Sequence, residues 1–171
     1  HPVFESYETI LAAGDGKSDT DDFFANENSF NKVCKAIKTH DKTITISVGQ
    51  LTTGVTIPEW TAVMMLSNMK SPAFYMQAAF RAQNPHEWSE PMDGDGTRYQ
   101  KQNAYVFDFS PERTLIIFDE FANNLSTRTT SGGGTSKDRE HNIRRLLNFF
   151  PVIGEDNEGK MVELDATQVL T

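Results

Sequence analysis

The sequence predicts an α/β protein built on a parallel sheet, from three observations. Four short runs rich in β-branched and aromatic residues have the length and composition of strands: Glu8 to Ala13, Thr43 to Val48, Ala62 to Leu66 and Ala104 to Phe109. Segments with helical spacing lie between the first and second runs and between the third and fourth. Strands that alternate with helices imply right-handed βαβ units and parallel pairing, with ligands at the carboxyl ends of the strands.

The first helix is marked by Phe30, Val33 and Ile37, behind Asn28 and Ser29 as candidate caps. The second is opened by Ser71-Pro72, since a proline in the first turn lacks only an N–H that would have no partner there. Ser110-Pro111-Glu112 starts a third, along which Leu115, Phe118, Ala122 and Leu125 recur at helical spacing. Residues 126–137, STRTTSGGGTSK, carry no apolar pattern and read as a flexible linker. Beyond it, Ile143, Leu146, Leu147 and Phe150 predict a short helix bearing Arg139, Arg144 and Arg145, a basic cluster of the kind that is usually a solvated face. Pro151 to Ile153 and Met161 to Leu164, flanking the polar Gly154 to Lys160, predict a small hairpin. The expected organisation is a main domain over 1–125, a linker over 126–137 and a helix-plus-hairpin appendage over 138–171.

A chain of 171 residues can bury a core without disulfides or metals. Its one cysteine, Cys34, excludes an internal disulfide and a Cys-rich zinc site, which fits a reducing cytoplasm. No apolar run is long enough to span a bilayer, so no membrane partner is expected. His1-Pro2 in place of a starting methionine leads us to expect a piece of a longer polypeptide. The net charge of −8 and pI near 4.9 argue against a self-sufficient basic-patch binder of nucleic acid. They leave open a domain that forms one wall of a DNA groove through N–H and hydroxyl groups.

Two segments imitate nucleotide-binding motifs. Gly16-Lys17-Ser18 matches the end of a phosphate-binding loop, but the glycine needed at position 11 is Leu11, and Asp15, Asp19, Asp21 and Asp22 would repel a polyphosphate. Leu115 to Glu120, LIIFDE, imitates an acidic strand end, yet its helix-start signal and spacing make it a helix. Phosphate chemistry therefore belongs to other residues.

Those residues lie between Thr43 and Pro85. After a strand comes Leu51-Thr52-Thr53-Gly54-Val55-Thr56-Ile57-Pro58; after one more strand, a helix carries Gln77-Ala78-Ala79-Phe80-Arg81-Ala82-Gln83-Asn84. Hydroxyl residues and a glycine after a strand let the backbone approach a phosphodiester, and Thr52 and Thr53 can donate to phosphate oxygens without reading bases. Gln77 and Arg81, four apart, share one helix face. An arginine so placed can reach the γ-phosphate of ATP across a cleft and stabilise charge on the transferring phosphoryl group.

In this order and spacing the two segments resemble motifs V and VI of the second RecA-like lobe of superfamily 2 helicases and translocases. The nearest resemblance is to the motor subunits of type I and type III restriction enzymes. It implies a three-layer RecA-like sheet of the P-loop NTPase type, flanked by helices, over about the first 125 residues. It also implies the C-terminal motor lobe of an ATP-dependent DNA helicase or translocase of a restriction-modification system. Arg81 and Gln77 would be catalytic, Gly54, Thr56, Gln77, Arg81 and Asn84 would face ATP, and Thr52 and Thr53 would face DNA, with no metal held by this chain. ATP and Mg2+ would be bound mainly by a first lobe, with none expected on this chain alone. DNA, that N-terminal RecA-like lobe, and methyltransferase or specificity subunits are the partners implied. Three positions depart from the pattern: Thr56 replaces aspartate, Phe80 glycine, and Asn84 the second arginine. These motivate an alternative, a catalytically degenerate helicase-like scaffold that binds nucleic acid or protein. A third reading, a free-standing nucleotide fold, would rest on Gly16 to Ser18.

Overall fold

The computed structural model of the chain describes residues 2–12, 19–48, 51, 55–89, 97–156 and 158–170, with backbone alone for 19–26 and 170. The architecture is mixed α/β, and the chain forms two compact units. The first comprises His1–Val63 and Gln77–Val106, the second Met64–Met76 and Phe107–Thr171.

In the first unit a short 3₁₀ turn, Pro2–Phe4, precedes β1 (Glu8–Ala12). This strand is followed by α1 (Asp19–Thr39) and then β2 (Thr43–Ser47). β1 and β2 pair in parallel, Glu8 opposite Thr43 through Ala12 opposite Ser47, as the alternation of strand and helix predicts. Ile10 and Ala12 alternate inward from β1 and meet Val33 and Ala36 of α1, with Phe30 and Ile37 packed beside them; Leu51 and Ile57 complete this core. The expected caps at Asn28 and Ser29 are corrected, because α1 begins at Asp19 and Ser29 is buried within it. Apolar spacing reports only the packed turns of a helix, here from Phe30 onward, and says nothing of the turns before them.

β3 (Ala62–Met65) leads to α2 (Pro72–Ala79), then to a 3₁₀ turn, Phe80–Gln83. A hairpin of β4 (Glu87–Ser89) and β5 (Arg98–Gln100) follows, which the sequence reading missed. Its three-residue strands are too short to show alternation, and what holds them is aromatic. Trp88 stacks on its cross-strand partner Tyr99, and His86 on Trp88, with centroids 5.8 and 5.6 Å apart. β6 (Tyr105–Asp108) pairs with β3. Among the described residues the ladders are four two-stranded sheets, of which β1–β2 is parallel.

The second unit contains α3 (Pro111–Asn124), so the LIIFDE run is helical, as its spacing predicts. α4 (Ser136–Leu147), the antiparallel hairpin of β7 (Ile153–Glu155) and β8 (Met161–Glu163), and α5 (Ala166–Leu170) complete it. The helix and hairpin follow the sequence expectation; α5 was not anticipated. α3, α4 and α5 pack on one another. Between α3 and α4 the polar segment is tightly hydrogen-bonded. Thr129, 1% exposed, donates to the Asn123 carbonyl at 2.8 Å and accepts from Asn142 at 2.8 Å. Thr135 and Asp138 then cap α4 reciprocally. The basic cluster is partly spent on ion pairs, Arg139 with Asp119 at 2.5 Å and Arg144 with Glu140 at 2.6 Å.

Tyr75 of α2 is 1% exposed in this unit. Burial pushes its hydroxyl up to about 12; the Thr114 hydroxyl acts the other way, and the Asp108 carboxylate adds to the rise. A folded-state value above the ordinary 10.0 means a stability contribution that is complete below pH 10 and lost as pH climbs to about 12. Ultraviolet titration should find one late-ionising tyrosine whose ionisation coincides with loss of structure, and that step should vanish in Tyr75→Phe.

Candidate nucleotide-facing site

The candidate site lies within the first unit, where the segment from Val55 meets the 3₁₀ turn after α2. Thr52, Thr53 and Gly54, like Gly16-Lys17-Ser18, lie outside the described residues. The chain on either side of the threonines is anchored. Leu51 is 4% exposed with φ 60°, and Ile57 is 2% exposed in the core. Val55 and Trp60 pack against that core, and the Trp60 N–H closes a turn onto the Ile57 carbonyl at 3.2 Å. Thr56 faces outward, exposed.

Ala78, Ala79 and Ala82 are buried. Gln77 is exposed in the last turn of α2. Arg81 is not on the same continuous α-helix as Gln77, which corrects the sequence expectation; it lies in the 3₁₀ turn Phe80–Gln83. Pro85 ends this turn, because it has no N–H to continue the ladder and drives the residue before it into extended backbone. Asn84 duly has ψ 132°, and its side-chain amide donates to the Arg81 carbonyl at 3.1 Å. Asn84 thus caps the turn that carries Arg81. Phe80, where the family has glycine, is 42% exposed and does not crowd the core.

Half-buried, the Arg81 guanidinium donates from Nη1 to the carbonyl oxygen of Val55, the residue directly after Thr52-Thr53-Gly54 in the sequence. The two sequence segments singled out for phosphate chemistry, 26 residues apart, are therefore in direct contact.

A residue that the sequence reading missed reinforces this contact. The Lys101 ammonium donates to three backbone carbonyls, those of Pro58 at 2.8 Å and of Trp60 and Ala82 at 2.9 Å each. Burial lowers its pKa below the ordinary 10.5, while the negative charge of Glu59 acts in the opposite direction. Nothing in the polar stretch RYQKQN distinguishes this lysine, because its partners are 43, 41 and 19 residues away.

No family profile matches the chain, and no solved structure matches it. Over 122 residues it is 31% identical to a protein of Mycoplasma pneumoniae described as "Putative type II restriction enzyme and methyltransferase RM.MpnORF110P C-terminus". The aligned part is 71% of this chain and 16% of that relative, so the chain spans about one sixth of the protein it resembles. The similarity supports a relation to restriction-modification proteins; that description does not mention a helicase. Among the described residues, no helix is long and apolar enough to cross a membrane.

Proposed function

We propose that this chain is the C-terminal motor lobe of an ATP-dependent DNA translocase or helicase in a restriction-modification system. The observation that carries the reading is the bond from the Arg81 guanidinium to the Val55 carbonyl, which joins the arginine segment to the residue that follows Thr52-Thr53-Gly54 in the sequence. In this reading residues 1–125 are a RecA-like lobe of superfamily 2 type, built on a three-layer sheet and acting in the cytoplasm. The Thr52-Thr53-Gly54 segment takes the DNA backbone, and Arg81, with Gln77 beside it, faces an ATP whose Mg2+ and phosphates are held by a first lobe. Residues 138–171 form an appendage to it. The similarity to a restriction and methylation protein supports the system to which the motor belongs and makes methyltransferase subunits candidate partners.

A split site has a direct consequence. The 171-residue chain should show no Mg-dependent ATP turnover above background, whereas a polypeptide that also carries a phosphate-binding lobe should hydrolyse ATP and do so faster with DNA. Vigorous turnover by this chain alone would contradict the proposal and revive the Gly16 to Ser18 reading.

One observation favours the second reading, a degenerate scaffold. Asn84, in the place of a second arginine, spends its side chain on the Arg81 carbonyl and offers no cation to a phosphate. In that case DNA or protein binding would persist without turnover in the full polypeptide.

A further inference from the structure

We infer that Lys101 is a positioning residue for Arg81, an inference that rests on the motor-lobe reading. Its ammonium has three N–H donors in tetrahedral array, and all three are used on carbonyls of Pro58, Trp60 and Ala82. Pro58 and Trp60 belong to the segment that begins at Val55, and Ala82 immediately follows Arg81. Lys101 therefore binds both walls of the candidate site at once. The Arg81 bond to Val55 is a second pin between the same two segments. With the Ala82 backbone tied to Pro58 and Trp60, the guanidinium is presented from a fixed base, so little ordering remains to be done when an anion arrives.

The main chain supports this division of labour. The Lys101 N–H donates to the His86 carbonyl at 2.9 Å, so the lysine is itself anchored on the segment leading into β4. Arginine should be a poor substitute, since a planar fork cannot place three donors as a compact ammonium does.

Two measurements test this. In the 171-residue chain, Lys101→Met should speed amide hydrogen exchange in residues 55–61 and 80–84 by about tenfold or more, without change in β1 or the packed half of α1. Lys101→Gln, which keeps two donors but no charge, should have a smaller effect and serves if the methionine variant does not fold. Unchanged exchange in the folded variants would overturn the pin. In the full polypeptide, Lys101→Met should lower kcat for DNA-stimulated ATP hydrolysis about tenfold to a hundredfold with KM for ATP nearly constant. It should add nothing to Arg81→Ala, because it acts through that residue. An additive loss in the double variant would overturn the positioning role. Should Arg81→Ala by itself leave turnover intact, the motor-lobe reading and the positioning role fall together, while hydrogen exchange still decides whether the ammonium ties the two segments.

Discussion

Arg81→Ala in a polypeptide that carries both proposed motor lobes is expected to reduce DNA-stimulated ATP hydrolysis by a factor on the order of 10³ or more, with a much smaller change in KM for ATP. The asymmetry follows from when the charge is needed. An arginine that stabilises charge on the transferring phosphoryl group acts in the transition state, so its loss appears in kcat. Arg81 sits on a short 3₁₀ turn that Asn84 caps, and its guanidinium donates to the Val55 carbonyl. Arg81→Lys should recover little. A single ammonium on a flexible stem cannot hold the Val55 carbonyl and also present a planar pair of donors to a phosphate. Steady-state turnover with and without DNA is the measurement, and undiminished rates in Arg81→Ala would leave the scaffold reading in possession.

The second large effect is on stability and belongs to the second unit. Asp108, at the end of β6, and Arg113, in the first turns of α3, form an ion pair with side chains 5% and 16% exposed. Asp108 Oδ1 also accepts the Ser110 N–H at 2.9 Å, and Arg113 further donates to the Ser67 carbonyl at 2.9 Å. Asp108→Ala leaves a buried guanidinium short of its anion, which costs about 3–5 kcal/mol in buried pairs of this kind. The Ser67 bond places the expected loss toward the lower end. Thermal unfolding should therefore begin on the order of ten degrees lower. Asp108→Ala combined with Arg113→Met should restore part of the loss, since the stranded charge is gone. A single variant as stable as the parent would show that the pair does not hold β6 to α3.

This pair also sets an acid limit. Burial by itself would raise the Asp108 carboxyl, but the hydrogen bond from Arg113, then the Ser110 N–H and the Arg113 charge, outweigh it and hold the pKa below the ordinary 3.8. A depressed folded-state value gives stability that is fully present above pH 3.8 and is lost as pH falls below it toward the folded value. Asp108→Asn should flatten that acid limb.

Much of the local structure was legible in the sequence because its causes are local. β1, β2, β3 and β6 fall within the four β-branched and aromatic runs, and α2 and α3 start at Pro72 and Pro111. Each signal spans a few residues, so a strand of alternating burial or a proline in a first turn can be read without knowing its neighbours. The β4–β5 hairpin was not legible, since stacking of Trp88 on Tyr99 is a cross-strand event. The polar segment before α4 likewise reads as a linker by composition, while its Thr129 hydroxyl bonds to Asn123 of α3 and Asn142 of α4.

The candidate site divides along the same line. By itself the sequence determined which chemical groups are present, a pair of threonines at 52 and 53 and an arginine at 81, and that strands and helices lie around them. Only the tertiary structure decided that Arg81 bonds Val55, that Asn84 is consumed as a cap, and that Lys101 gathers three carbonyls from two segments. The physical reason is range: backbone conformation responds to adjacent residues, whereas a side-chain donor reaches whichever carbonyl the packing of distant segments leaves unsatisfied beside it.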